Sequence, residues 1–180
     1  MIYNSEHISI TQLQAKDALQ LNKLLVSNTE RFIRYLPITL SENRTLESSI
    51  NYIERKIEAA KKREEFVFVI NDKNSRNIIG LIILKNLDWE NKQAEFAYCI
   101  GNRFKGKGLM SKAIKAASNY AIETLGLETL QIISHKTNSA SVNVALQSGF
   151  KWKETLENEF TPLNEASLDM ELYEFSIYEK

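Results

Sequence analysis

The segment Arg103–Met110 limits the fold of this chain more than any other stretch. It contains Gly106 and Gly108, two of only 6 glycines among 180 residues, and it lies between a predicted strand and a predicted helix. Glycine lets backbone N–H groups approach an anion, and a helix N-terminus offers unpaired donors. The segment therefore predicts a phosphate-binding loop, with a tight turn carrying solvated cations as the alternative. The sequence contains neither GxxxxGK[ST] nor GxGxxG, which excludes a P-loop and disfavours a dinucleotide fold.

Apolar patterns on both sides of this segment predict alternating strands and helices. Apolar residues at helical spacing predict helices at about 18–25, 50–60, 110–125 and 138–149. β-Branched, aromatic and alternating runs predict strands at about 7–13, 66–70, 78–84, 94–100, 130–134, 150–156 and 168–175. This order predicts an α/β or α+β fold in a single domain over residues 1–180, with antiparallel meanders at both ends.

Composition excludes several classes of function. The 23 basic and 23 acidic residues give a net charge of zero, so no general field favours nucleic acid or an anionic membrane. No apolar stretch approaches the length of a membrane span and no leader pattern is visible, which predicts a cytoplasmic protein. The single cysteine, Cys99, is expected to be a buried small hydrophobe and not a nucleophile. With only 2 histidines beside it, no metal site is predicted.

Three segments carry a family resemblance. Arg103-x-x-Gly106-x-Gly108 resembles the [QR]-x-x-G-x-[GA] signature of the GNAT superfamily of N-acetyltransferases, in which this loop holds the pyrophosphate of acetyl-coenzyme A. Ala94–Gly101 is similar to a strand of the ribosomal-protein (Rim-type) N-acetyltransferases. Asn138–Ser141, followed by Gly149 and Phe150, resembles their N-x-x-S motif that ends in G-F. On these motifs the chain is identified as a member of the superfamily.

The resemblance implies a fold and a cosubstrate. The fold would be the GNAT acyl-CoA N-acyltransferase fold, a mixed, splayed, seven-stranded sheet flanked by helices. Acetyl-CoA would enter where the strand around Cys99 parts from the strand around Ile132, and no metal would be needed. The pantetheine arm would pair with the backbone of Tyr98, Cys99 and Ile100 like an added strand. The other cofactor-binding residues implied are Arg103, Phe104, Lys105, Gly106, Lys107, Gly108, Leu109, Met110 and Asn138.

Glu95 is the candidate catalytic base for removing a proton from the attacking amine. Strand alternation places it on one face with Ala97 and Cys99. A carboxylate on an otherwise apolar strand is costly unless it has a partner or a wet cleft. The alternatives are an exposed strand end, or an ion pair with Lys85 or Lys92 across a turn.

Ser141 is the candidate donor to the leaving thiolate. Many GNAT enzymes carry a tyrosine seven residues after the motif asparagine, where this chain has Ala145. Rim-type enzymes are similar to this chain in having a serine three residues after it. The alternative for Ser141 is a first-turn serine that satisfies its own helix. Asn138 is either the helix N-cap or a partner of the pantetheine arm.

The acceptor amine is left open by the sequence. The resemblance implies direct transfer in a ternary complex to the N-terminal amine of a ribosomal or other protein. A polyamine or aminoglycoside acceptor is the alternative, with Glu157, Glu159 and Glu165 as attracting carboxylates. The acceptor lid is predicted from Phe32–Arg44 and Asn158–Ser167. A third possible function is a CoA-binding sensor without catalytic activity. No nucleic-acid or membrane partner is predicted, and the sequence leaves open whether the chain forms a homodimer.

Overall fold

Eight strands form one mixed sheet in the computed structural model, which describes residues 1–178. The strands are β1 (Tyr3–Asn4), β2 (Ile8–Gln12), β3 (Phe66–Asp72), β4 (Ile78–Asp88), β5 (Gln93–Ile100), β6 (Thr129–Ser134), β7 (Lys151–Phe160) and β8 (Leu168–Ser176). Their order in the sheet is β1-β2-β3-β4-β5-β6-β8-β7. The pair of β5 with β6 is parallel and the other neighbours are antiparallel. The predicted mixed α/β sheet is confirmed.

The predicted number of seven strands is wrong by one. The additional strand is β1, which pairs with β2 through Tyr3 opposite Ile10 and Asn4 opposite Ser9. A strand of 2 residues is too short to show alternation in a sequence, so only its pairing reveals it. β7 also extends to Phe160, beyond the predicted end near residue 156.

Six α-helices within residues 1–178 cover the two faces of the sheet. They are α1 (Ala18–Val26), α2 (Thr29–Phe32), α3 (Pro37–Ser41), α4 (Leu46–Lys61), α5 (Leu109–Glu123) and α6 (Ser139–Gln147). The α1–α4 face buries one apolar cluster, which includes Leu21, Tyr52, Val67 and Cys99. The α5–α6 face buries another, which includes Phe68, Phe96 and Ile114. Alternating residues of β3 and β5 therefore serve opposite cores, as two-residue periodicity requires.

The sheet splays open between β5 and β6. Within residues 1–178 these strands pair from Gln93 opposite Thr129 to Phe96 opposite Ile132. Beyond this point β6 continues with β8, where Ser134 lies opposite Glu171. β5 continues with β4, where Ile100 lies opposite Gly80. The gap beside residues 97–100 of β5 lies at the predicted entry point for acetyl-CoA.

No helix within residues 1–178 has both the length and the apolar character that crossing a membrane requires.

Candidate active site

The glycine loop has a backbone suited to an anion. Gly106 and Gly108 have φ angles of +72° and +69°, the left-handed region that favours glycine. A Cβ atom built at either position meets no other atom within 4 Å, so the space above the loop is open. Gly108 is the N-cap residue of α5, and it has no side chain to satisfy the N–H groups of the first turn. These donors remain available to a ligand, where the helix dipole favours negative charge.

The loop presents its cations to solvent and its apolar residues to the protein. Arg103, Lys105 and Lys107 are exposed, and the Lys107 ammonium lies 5.5 Å from the centre of the Phe104 ring. Met110 is buried in the α5–α6 core. Leu109 is half-buried against the same core. At the predicted site Met110 could therefore act only through its backbone, whereas the three cations would contribute charge.

Two backbone units of β5 point into the gap. The Gly101 N–H donates to the Ile79 carbonyl of β4 at 2.8 Å. Hydrogen-bonded pairs alternate along an antiparallel ladder, so Cys99 faces β4 while Tyr98 and Ile100 direct their amide and carbonyl groups away from it. The Ile100 carbonyl already accepts from Arg31 Nη1 at 2.7 Å. Of the three residues predicted to pair their backbone with the pantetheine arm, Tyr98 and Ile100 therefore face the gap, whereas the Cys99 backbone faces β4.

Glu95 is buried and paired, which is one of the alternatives considered above. Only 9% of its surface is exposed. Its Oε1 atom lies 2.9 Å from the Lys85 ammonium, and Asn86 Nδ2 donates to its Oε2 at 2.8 Å. Both partners come from β4: Lys85 lies directly opposite Glu95, and Asn86 follows it where the register of the two strands shifts. The carboxylate therefore has a counter-charge and a fixed orientation, and it lies near Phe96, where the splay begins.

Cys99 has the environment predicted for it. Its side chain is buried in the α1–α4 core, and this burial raises the pKa of the thiol to about 12. A thiol that stays protonated is a poor nucleophile. The structure therefore disfavours a covalent acyl-cysteine route.

Ser141 and Asn138 lie at the start of α6, on the far side of the gap from β5. Asn138 is the N-cap of α6, and its Oδ1 accepts from the Ser141 N–H at 3.3 Å. The Ser141 hydroxyl instead contacts the Tyr98 hydroxyl, with 2.9 Å between the two oxygens. Asn138 therefore acts as the helix N-cap, which was one of its two predicted roles. The side chain of Ser141 instead contacts Tyr98 across the gap.

A buried hydroxyl without a partner lies at the end of β6. Ser134 and Tyr98 are each two residues beyond the last β5–β6 pair, on the face that packs against α5 and α6. Ser134 Oγ is buried and has no hydrogen-bond partner among residues 1–178. An orphaned polar atom, two backbone units directed into the gap and an open glycine loop fit an elongated phosphate-bearing ligand with amide groups.

The two predicted lid segments meet each other. Arg34 Nη2 forms an ion pair with Glu165 Oε2 at 2.7 Å. The rings of Tyr35 and Phe160 lie 6.3 Å apart. Leu168–Glu171 of β8 and Arg31 of α2 both lie at the carboxyl ends of β5 and β6. The lids therefore meet at the end of the sheet where the splay opens.

Several residues of this site are not visible in the sequence pattern. The side chain of Tyr98, the carbonyl contact of Arg31 and the pairing of Asn86 all depend on contacts between separate elements. Lys85 was one of the two lysines that the sequence offered as ion-pair partners for Glu95, and the structure pairs it with that carboxylate.

Comparison with known proteins agrees with this geometry. The Acetyltransferase (GNAT) domain family matches residues 7–151. A Bacillus subtilis (strain 168) relative named "Putative ribosomal N-acetyltransferase YdaF" is 32% identical over 148 residues, which are 81% of this chain and 79% of that protein. The spermidine N(1)-acetyltransferase of Escherichia coli (strain K12) is 29% identical over 99 residues, which are 51% of this chain and 53% of that protein.

Solved structures show the same fold. RimL, a ribosomal L7/L12 α-N-protein acetyltransferase in complex with coenzyme A, has a TM-score of 0.89 at 19% identity, over 99% of both chains. At this identity the likeness concerns the fold alone, and it confirms the predicted splayed architecture. The family match and the Bacillus relative, in contrast, also indicate the class of enzyme. The chain therefore belongs to the GNAT family and is an acetyl-CoA-dependent N-acetyltransferase.

Proposed function

We propose that this enzyme transfers the acetyl group to the N-terminal amine of a ribosomal or other protein, by direct attack in a ternary complex. The observation that carries the choice of acceptor is the Arg34–Glu165 ion pair. Glu165 was one of the carboxylates expected to attract a polyamine, and here an arginine neutralises it. Two carboxylates of the neighbouring strand β8 also accept hydrogen bonds, Glu171 from Trp152 and Asp169 from the Asn158 N–H.

The cosubstrate would lie along the gap. The open glycine loop and the first turn of α5 would hold the pyrophosphate, with Arg103, Lys105 and Lys107 adding positive charge. The Tyr98 and Ile100 backbone would pair with the pantetheine arm. Asn138 serves first as the N-cap, because its side-chain oxygen is engaged by the Ser141 N–H.

Glu95 and Ser141 would divide the proton chemistry. The amine attacks the thioester carbonyl carbon, a C–N bond forms, the C–S bond breaks, and the sulfur leaves with the electron pair. Glu95 receives the proton of the amine, directly or through water, while Lys85 and Asn86 hold the carboxylate in place. Ser141 donates a hydrogen bond to the sulfur as negative charge develops, and solvent protonates the released thiolate.

A turnover screen tests the acceptor. Acetyl-CoA consumption is followed with peptides that contain one lysine and have a free N-terminus, and with the same peptides after N-acetylation. Spermidine and an aminoglycoside are the small-amine acceptors. We expect the highest kcat/KM with a free peptide N-terminus and a loss of at least tenfold on blocking it. A higher kcat/KM with spermidine would replace the protein acceptor by a polyamine.

The polyamine acceptor remains the second candidate because of one specific similarity. The Escherichia coli spermidine acetyltransferase matches about half of this chain. Exposed Glu157 and Glu159 on β7 would be the carboxylates that attract such a cation. Replacing both by glutamine would then raise the KM for spermidine and leave the KM for a neutral peptide unchanged.

A further inference from the structure

We propose that the Tyr98 side chain is a positioning residue for the leaving group, because its hydroxyl holds and polarises the Ser141 hydroxyl at the gap between β5 and α6. The proposal rests on the role proposed for Ser141 and deepens it. It assigns a task to a side chain for which only a backbone role was expected.

The two hydroxyls meet across the splay. Tyr98 belongs to β5 and Ser141 to the first turn of α6, 43 residues later in the chain. Their oxygens are 2.9 Å apart, and the Tyr98 hydroxyl also lies 3.1 Å from the Ser141 carbonyl oxygen. The Ser141 N–H is occupied by Asn138. The side chain of Ser141 is therefore fixed by Tyr98 and not by its own helix backbone.

The two hydroxyls together have enough protons to stabilise a developing thiolate. Each hydroxyl has one proton and can also accept. Without ligand, Tyr98 can donate to the Ser141 carbonyl while Ser141 donates to Tyr98. When a sulfur acquires charge beside Ser141, the serine proton turns to the sulfur and the tyrosine proton turns to the serine oxygen. No heavy atom moves, and the second hydrogen bond strengthens the first by polarising it.

The environment keeps Tyr98 a neutral donor. Burial raises the pKa of its hydroxyl to about 12, and the hydrogen bond with Ser141 only partly opposes this effect. The phenol is therefore protonated at neutral pH. A neutral phenol of high pKa donates a hydrogen bond without losing its proton, so the released thiolate still takes its proton from solvent.

The alternative is a purely structural contact that ties α6 to the sheet. Removing a structural hydrogen bond costs stability by about 1 kcal/mol and leaves the chemical step unchanged. A positioning role instead predicts a loss in kcat that depends on the presence of Ser141.

The test is a kinetic double-mutant cycle with Tyr98→Phe, Ser141→Ala and the double variant, using the best acceptor from the turnover screen. We expect Tyr98→Phe to lower kcat about tenfold, which is about 1.4 kcal/mol, with a KM for acetyl-CoA within twofold of the unchanged enzyme. In the Ser141→Ala background the same change should alter kcat less than twofold. Tyr120→Phe on α5, at a ring that packs against Phe68, is the matched control and should leave kcat unchanged.

Each outcome decides the matter. Unchanged kcat in Tyr98→Phe, a loss confined to KM, or an equal loss in both backgrounds would overturn the positioning role. Unchanged kcat in Ser141→Ala would overturn the roles of both hydroxyls. Neither result would touch the choice of acceptor, since the screen itself decides that question, and thermal melts with CoA calorimetry exclude misfolded variants.

Discussion

Replacing Gly108 by alanine separates binding from folding at the glycine loop. At a φ of +69°, a residue with a Cβ atom adopts a strained backbone, which costs about 1–2 kcal/mol of unfolding free energy. A clash contributes nothing further, because the built Cβ meets no atom within 4 Å. The new methyl group would instead project into the space that the phosphate oxygens are proposed to occupy. We expect the Kd for CoA to rise at least tenfold, or about 1.4 kcal/mol.

Gly126 provides a matched control within the same chain. Its φ is +79° and a Cβ built there also meets no atom within 4 Å, but it follows the far end of α5. Gly126→Ala should therefore lower the melting temperature by a similar amount and leave the Kd unchanged. Calorimetry with CoA and thermal melts of both variants give the comparison. Unaltered affinity in Gly108→Ala, or an equal loss in Gly126→Ala, would refute the phosphate loop.

Three further predictions concern the chemistry. Glu95→Gln should keep CoA affinity but lower kcat about 10²-fold at neutral pH. This loss in kcat should become smaller as the pH rises past about 8, where the α-amine of the acceptor deprotonates without a base. Parallel pH–rate profiles of Glu95→Gln and the unchanged enzyme would contradict the role of Glu95 as the base. Ser141→Ala should lower kcat more than it raises the KM for acetyl-CoA, and a normal kcat in steady-state kinetics would remove Ser141 from the mechanism. Cys99 should resist iodoacetamide at pH 8 in the folded enzyme, because burial raises its pKa to about 12. Rapid alkylation measured by mass spectrometry would contradict that environment.

Local periodicity made the framework of this fold predictable. The alternation of β5 assigned Glu95 and Cys99 to one face and Tyr98 to the other, and the two cores confirm this division. The loop around Gly108 was recognisable as a strand-to-helix junction because two glycines stand close together there, and both adopt the left-handed conformation. Such features depend on neighbouring residues in the chain.

Contacts between distant segments were beyond prediction. Arg34 and Glu165 are 131 positions apart, and Tyr98 and Ser141 are 43 apart, so no local pattern relates them. The sequence offered Lys85 and Lys92 as ion-pair partners for Glu95. The antiparallel register of β4 with β5, which places Lys85 opposite Glu95, identifies Lys85 as the partner. Side-chain partnerships of this kind arise from packing, which one-dimensional patterns do not encode.

The parting of β5 from β6 gives the sheet an edge in its interior. Exposed strand edges at the rim of a sheet invite pairing with other chains and lead to aggregation. The backbone beside Tyr98 and Ile100 has the same hydrogen-bonding capacity, but β6 and α6 stand on its far side and the lids meet at its end. The pantetheine arm that is proposed to pair with Tyr98 and Ile100 would satisfy these backbone groups as a neighbouring strand does elsewhere in the sheet. This edge lies between elements of the same chain, unlike the edges that β1 and β7 form at the rim of the sheet.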